Sequence, residues 1–464
     1  MPKVSSYPAI DPNELAAEDI ALMVKVSAGT NGTKTALMQT LAKMLPKFVD
    51  QPYADSDDDI QEILDEYTER AVTIRPIGTI IPSVAIKLGN TTQILGENAN
   101  LTEQSTLTYR PRPIIDFSAS AIDGFITDSA VAYRCQKTRL QSITIKGSGY
   151  TNGKSGVKYQ SSVGGTPGLA ELIDVYIEDF QISVNAGNID DSHKYIRSHF
   201  MRFTNAIKDL NQQTIISQCV FWNALAAGSI GINVKGTNNV ITECEFEQGD
   251  GSEADETGVA VSLEATSNSN IVSANRFQHA IGTYLQDYGL ANVINGNIFN
   301  PYETTITRFI RLAGTGAAVI GNTFLTAGTV SSDAILINTS QNIFSGNVIR
   351  RVQDAVNCIL INGNNNVING NMFVNCTGCL SNVKLTAGAT ENILIGEFPN
   401  GITDLGTRTI INGVSKNNGN PASTGDWNGS AAKAYRLGIT VEDYSSNPSK
   451  YYRADSQGNW VQLG

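Results

Sequence analysis

The sequence predicts an all-β solenoid with coils of about 24–25 residues, and three observations carry that reading. Short segments of one form recur between 214 and 399: TIISQCVF, VITECEF, NIVSANRF, NVINGNIF, AVIGNTF, NIFSGNVI and NVINGNMF. Each places a short polar turn before Cys219, Cys244, Asn275, Asn297, Asn322, Asn347 or Asn371, and these residues follow one another at intervals of 25, 31, 22, 25, 25 and 24. The chain of 464 residues has 42 glycines and only 17% charged residues, which suits many turns and short strands better than long surface helices.

Taken in order, residues 1–50 read as a separate αβ unit. A strand at 20–26 precedes a Gly-Thr-Asn-Gly turn at 29–32 and an amphipathic helix from Thr35, with Ile20, Leu22, Val24, Leu37, Leu41 and Leu45 as its core. Residues 51–70 form a linker and a capping helix over roughly 58–70. Asp55, Asp57, Asp58 and Asp59 complement the positive end of that helix, so this acidic run reads as a cap and not as a metal site. Ile60, Ile63, Leu64 and Tyr67 share its apolar face.

From 71 to 413 short strands separated by Gly, Asn and Pro build the shaft, with the helix covering the otherwise open edge of the first coil. This length holds roughly a dozen coils, a shaft on the order of 60 Å long. Within it Asn tolerates tight-turn backbone geometry, and stacked Asn side chains can bond along the axis in a ladder. Phe221, Phe246, Phe277, Phe299, Phe324, Ile349 and Phe373, two residues further on, are expected to stack inside. Residues 414–464 begin with a Pro/Gly/Asn linker and end in short aromatic strands. Trp427, Tyr435, Tyr451, Tyr452 and Trp460 either pack across subunits or form a small private core.

Composition excludes some functions. A net charge of −11 lacks the basic footprint of a nucleic-acid binder. No apolar run reaches the length of a membrane span, and no basic segment followed by an apolar run marks a leader, so synthesis and assembly are expected in a cytoplasm. The six cysteines are then expected to be reduced and buried. Cys376-Thr-Gly-Cys379 is a lone C-x-x-C pair in a chain with three histidines, and we expect neither a metal nor a cofactor.

Counting from the turn residue, positions +1 and +3 point outward. In the later coils they hold Ile298, Leu325, Val348, Met372 and Val374, an apolar outer column that calls for sister chains as partners. Between 219 and 280 the same side is polar: Trp222, Glu245, Glu247, Arg276, Gln278 and His279 come together. Aromatic faces stack on sugar rings, and paired carboxylates can divide acid and base roles, so Glu245 and Glu247 are the candidate catalytic pair. Trp222, Arg276, Gln278 and His279 are the candidate substrate contacts. Each residue also has a plainer reading: Glu245 and Glu247 as surface charges, one paired with Arg276, Trp222 as packing, His279 as structural. Glu264 and Asp287 form a second pair, which strand alternation sets apart. The loop 249–257, GDGSEADET, lacks the order of a calcium loop and reads as a solvated excursion.

Two stretches carry a family resemblance. D-x-x-L-x-V-x-x-x-x-G-T-x-x-T from Asp19 to Thr33 resembles the virion-attachment modules of phage tail fibres and tailspikes. The capping helix, P-x-G-T at 76–79 and VAIKLGNTTQILGE at 84–97 resemble the start of their pectate-lyase-like β-helices, and the repeat resembles that of tailspikes and polysaccharide-active enzymes. The resemblance implies a right-handed single-stranded parallel β-helix, assembled as a homotrimer and held in the virion through residues 1–50 on a tail or baseplate protein. It implies adsorption to a capsule or lipopolysaccharide, with the glycan either cleaved by glycoside hydrolysis or bound by a non-enzymatic appendage.

Overall fold

The computed structural model describes residues 53–54, 60–66, 72–76, 78–88, 92–96, 112–128, 138–160, 170–187, 192–224, 228–247, 258–278, 282–301, 305–325, 329–352, 355–376, 378–412, 414–416, 440–443, 450–454 and 460–462. The expected attachment module, the acidic run 55–59, the loop 249–257, Trp427 and Tyr435 lie outside them.

The shaft is a right-handed parallel β-helix. One coil shows the plan. Ile215–Ser217 belongs to sheet 1, Val220–Ala224 to sheet 2 and Ile230–Val234 to sheet 3. The chain then returns to sheet 1 as Val240–Thr242, parallel to Ile215–Ser217 and directly beside it. Among the described residues, sheets 2 and 3 hold 12 and 13 strands, matching the expected number of coils. A helix over Ile60–Glu66 buries Ile60 and Leu64, and its Gln61 Oε1 accepts the Lys87 amide at 2.6 Å. The coils of the shaft end at Thr409–Ile411. Val414–Lys416 then joins sheet 1 antiparallel, Thr440–Asp443 pairs parallel to it, and Lys450–Ala454 and Trp460–Gln462 follow antiparallel.

The tight turn between sheets 1 and 2 differs in one detail from the expectation. The left-handed residue is the one before the asparagine: Gln218 (φ 57°), Glu243 (55°), Ala274 (54°), Gly296 (64°), Gly321 (64°), Gly346 (62°) and Gly370 (60°). A Cβ at Gly321, Gly346 or Gly370 would meet nothing within 4 Å, so these glycines serve backbone conformation and not close approach. The asparagine itself is buried and works through its side chain. Asn275, Asn297, Asn322 and Asn347 each donate their backbone amide to the Oδ1 of the next asparagine at 2.9 Å. Cys219 and Cys244 occupy the same position in earlier coils and are also buried. A second ladder runs through the turn between sheets 3 and 1: Asn239 to Asn270 to Asn292, then Asn342 to Asn366 to Asn392.

Inside, Phe221, Phe246, Phe277, Phe299 and Phe324 stack with successive ring centroids 4.6, 4.8, 4.6 and 4.9 Å apart. That is the spacing of hydrogen-bonded strands, so one aromatic per coil fills the core without displacing the backbone.

His193 takes the second-ladder position near the start of that column. It is fully buried, stacks on Tyr159, and accepts the Ala170 amide on Nδ1 at 2.8 Å. Burial pushes its pKa down to about 3. The unfolded imidazole titrates near pH 6.5, so the contribution of neutral His193 is complete above that pH and is lost as pH falls towards 3. We expect stability to fall by several kcal/mol across this window, partly through His193. Urea midpoints of the wild type and His193→Asn between pH 7 and pH 4 check this, because the variant should show the shallower decline.

Candidate functional site

The outer face of sheet 2 is ordered by the register of its strands. One outward column runs Thr144, Tyr176, His199, Val220, Glu245, Arg276, Ile298, in consecutive coils. A second runs Met201, Trp222, Glu247, Gln278, Asn300. The sequence-predicted residues Trp222, Glu245, Glu247, Arg276 and Gln278 therefore meet on three adjacent coils. His279 lies outside the described residues.

Within this cluster the roles separate. Trp222 is 40% exposed and offers an aromatic surface. Glu245 Oε1 lies 3.8 Å from Arg276 Nη1 and accepts a hydrogen bond from Gln278 Nε2. Gln278 is only 5% exposed, so it props Glu245 instead of presenting itself to a ligand. Glu247 sits two residues along the same strand and is half-buried. Two residues of extended chain separate their Cα atoms by roughly 7 Å and put both side chains on the outer face.

The asparagine-marked repeat begins at 214, and the shaft coils before it carry a further part of this face that the repeat does not point to. There the Tyr176 and His199 rings stack at 4.2 Å with an interplanar angle of 7°. The Arg112 guanidinium lies 4.0 Å from the Tyr176 ring centroid and pairs with Asp174 at 2.6 Å. Burial and the charge of Arg112 hold His199 below the usual imidazole range, and Asp174 opposes them. The imidazole thus extends the aromatic surface as a neutral ring. The signal available in the sequence was the pair of segments VYIEDF and SHFMRF, which share the outward-inward alternation but carry no asparagine at the turn.

The second predicted pair is not brought together. Glu264 lies at the surface, where its Oε1 accepts from Asn233 Nδ2 and from Ser262 Oγ at 2.6 and 2.9 Å. Asp287 is 1% exposed and points into the solenoid. Its Oδ1 accepts the Gly289 amide and Asn292 Nδ2 at 2.8 and 2.9 Å, and burial pushes its pKa up. Asp287 therefore braces the turn that starts the Asn292 rung.

No family model matches the chain, and no curated protein matches it. Solved structures do. Tailspike protein 3 of bacteriophage CBA120 aligns with a TM-score of 0.51 at 12% identity, over 88% of this chain and 66% of the tailspike. The shared feature is the fold. DFA-IIIase from Arthrobacter chlorophenolicus A6, in complex with GF2, aligns with a TM-score of 0.47 at 14% identity, over 76% of this chain and 96% of the enzyme. PfbA, a surface adhesin of Streptococcus pneumoniae, aligns with a TM-score of 0.33 at 10% identity, over 88% and 97%. A shared fold does not fix a function, which has to be argued from the surface of the shaft.

Proposed function

We propose that this chain is a phage tail appendage that binds a bacterial surface polysaccharide along the outer face of sheet 2 and forms a homotrimer through the outer face of sheet 1. The observation that carries the reading is the division of the shaft surface. On sheet 1 one outward column is charged at Arg139, Glu171 and Lys194, with Glu171 paired to both neighbours. From the next coil it turns apolar: Ile215, Val240, Ile271, Val293, Ala318, Ile343, Val367, Ile393 and Ile410. Ile215, Ile271 and Ile343 are 40%, 39% and 43% exposed. The stripe spans roughly 40 Å, and sister chains in the same register bury it along its whole length. Around the corner, Ile298 and Met372 widen it on sheet 2. The aromatic and charged cluster from Tyr176 to Gln278 lies where sheet 2 is not apolar, and it suits sugar rings and hydroxyls.

Light scattering is expected to give the mass of three chains, and Ile271→Asp with Ile343→Asp the mass of one. A wild-type mass of one chain would overturn the trimer. Binding to a panel of capsules and lipopolysaccharides is expected to fall about tenfold or more in Trp222→Ala, as for an aromatic anchor.

A second reading, glycoside hydrolysis, is favoured by Glu245 and Glu247 facing outward together on one strand. Sizing the bound polysaccharide before and after incubation separates the two. Shortened glycan, with cleavage lost in Glu245→Gln or Glu247→Gln and binding retained, makes the chain a depolymerase. Full-length glycan from a host that it binds makes it an adhesin.

A further inference from the structure

We infer that Arg308 and Arg311 form an oxyanion-binding subsite on the outer face of sheet 3, so that the sugar it takes bears a carboxylate or a phosphate. The inference deepens the proposed function and rests on it for the biological source of that sugar.

Strand alternation would put residues three apart on opposite sides. In Arg308–Leu312 the two consecutive residues Phe309 and Ile310 are both fully buried, so the side chains of Arg308 and Arg311 emerge on the same outer side. The coil before it has the same form, with Tyr284 and Leu285 buried, and it places Thr283 beside Arg308 and Gln286 beside Arg311. Tyr288 donates its hydroxyl to Gln286 Oε1 at 2.7 Å, and the Arg311 guanidinium lies 5.4 Å from the Tyr288 ring centroid. Arg308 Nη2 donates to Ser332 Oγ at 3.0 Å. Two guanidiniums, a phenol and an amide thus share one patch across adjacent coils.

The two guanidiniums of the patch stand next to each other without a carboxylate at ion-pair distance among the described residues. Five other arginines, Arg112, Arg139, Arg202, Arg276 and Arg408, each have such a carboxylate, while Arg197, Arg350 and Arg351 share its absence but do not sit side by side with a second guanidinium on one strand and half-buried as this pair does. Asp333 is the acid that acts on Arg308, but its Oδ1 is taken by Asn357 Nδ2 at 2.7 Å. Arg308 Nη1 and Arg311 Nε are sealed from solvent without an acceptor. Burial holds Arg308 below the usual guanidinium range; Asp333 and, less, Tyr288 oppose the shift, and Arg311 adds to it. Two neighbouring cations with unanswered donors are costly to the fold alone, in a chain whose net charge is −11. The half-buried guanidiniums keep exposed edges that can hold a planar or tetrahedral oxyanion, whose charge offsets the sealed donors beside it, and the Tyr288 ring lies alongside for the sugar carrying it. Sheet 3 is also clear of the apolar stripe on sheet 1, so trimer formation leaves the patch open.

The test is a titration of the full-length protein with methyl glucuronide, glucose 6-phosphate and methyl glucoside, followed by saturation-transfer NMR. At least one charged sugar is expected to bind tenfold or more tighter than the glucoside, with the preference shrinking in high salt. Arg308→Gln with Arg311→Gln should abolish the preference, and the corresponding double Lys variant should keep part of it without the fork geometry. The double Gln variant should melt at or above the wild-type temperature, because it removes two unanswered charges; a purely structural pair would give the opposite. Equal binding of all three sugars, or wild-type preference in the double Gln variant, would overturn the inference. Should that variant not fold, full retention of preference and affinity by the Lys variant overturns it equally. Host polysaccharide before and after carboxyl reduction and dephosphorylation separates this subsite from the broader reading. Equal binding of both forms removes the subsite and leaves the receptor function, whereas no binding of either removes the receptor function.

Discussion

Asn322→Leu is expected to destabilise the shaft by roughly 3–5 kcal/mol, among the larger effects of any single substitution. Asn322 is fully buried in the middle of the first asparagine ladder. Its Oδ1 accepts both the backbone amide and Nδ2 of Asn297, each at 2.9 Å. Its Nδ2 donates to Ile294 O at 2.9 Å and to Asn347 Oδ1 at 3.0 Å. Leucine preserves the volume but strands these donors and acceptors away from water, and a stranded buried group costs its full desolvation penalty. Asn295, exposed and two residues from the next rung, is the matched control, and Asn295→Ala should change stability by less than about 0.5 kcal/mol. Urea midpoints of the two variants decide the matter. Comparable midpoints would mean that the ladder is not what holds the turns.

Phe277→Ala is expected to cost roughly 3–5 kcal/mol. The ring lies fully buried between Phe246 and Phe299, at 4.8 and 4.6 Å, and leans against Tyr284 at 5.8 Å. Neighbouring coils are fixed by main-chain bonding in three sheets, so they cannot collapse into the space left by the ring, and the cavity term is retained in full. Phe277→Leu should cost about 1–2 kcal/mol, since most of the volume remains. Thermal unfolding of both variants measures the difference, and an alanine variant within about 1 kcal/mol of the wild type would show that the column relaxes.

Much of the shaft was legible because each coil repeats a local solution. Phe246, Phe277 and Phe299 recur at the coil period, and stacking at the strand spacing follows from that period alone. The ladder through Asn275, Asn297 and Asn322 was legible for the same reason. The second ladder, through Asn239, Asn270 and Asn292, is just as periodic, but these asparagines precede a strand and look like ordinary loop residues until their burial and ladder bonds are seen. The left-handed residue was misplaced by one position, because Gln218 and Glu243 do not look like turn residues until backbone angles are seen.

The site was less legible. The register brought Trp222, Glu245, Glu247 and Arg276 together as the spacing implied. That Gln278 is covered and props Glu245 depends on what packs around it. Glu264 and Asp287 look alike in sequence, yet one bonds at the surface and the other braces a turn inside. Arg308 and Arg311 would fall on opposite sides by strict alternation, and only the two consecutive inward residues between them put both outside. The sequence by itself determined the period, the core column and the coils on which polar side chains fall, because these follow from pairing each coil with the next. The tertiary structure alone decided which polar groups are sealed, which are paired and which are left facing outward. Those outcomes depend on local departures from alternation and on neighbours from other coils, and neither is encoded in the repeat.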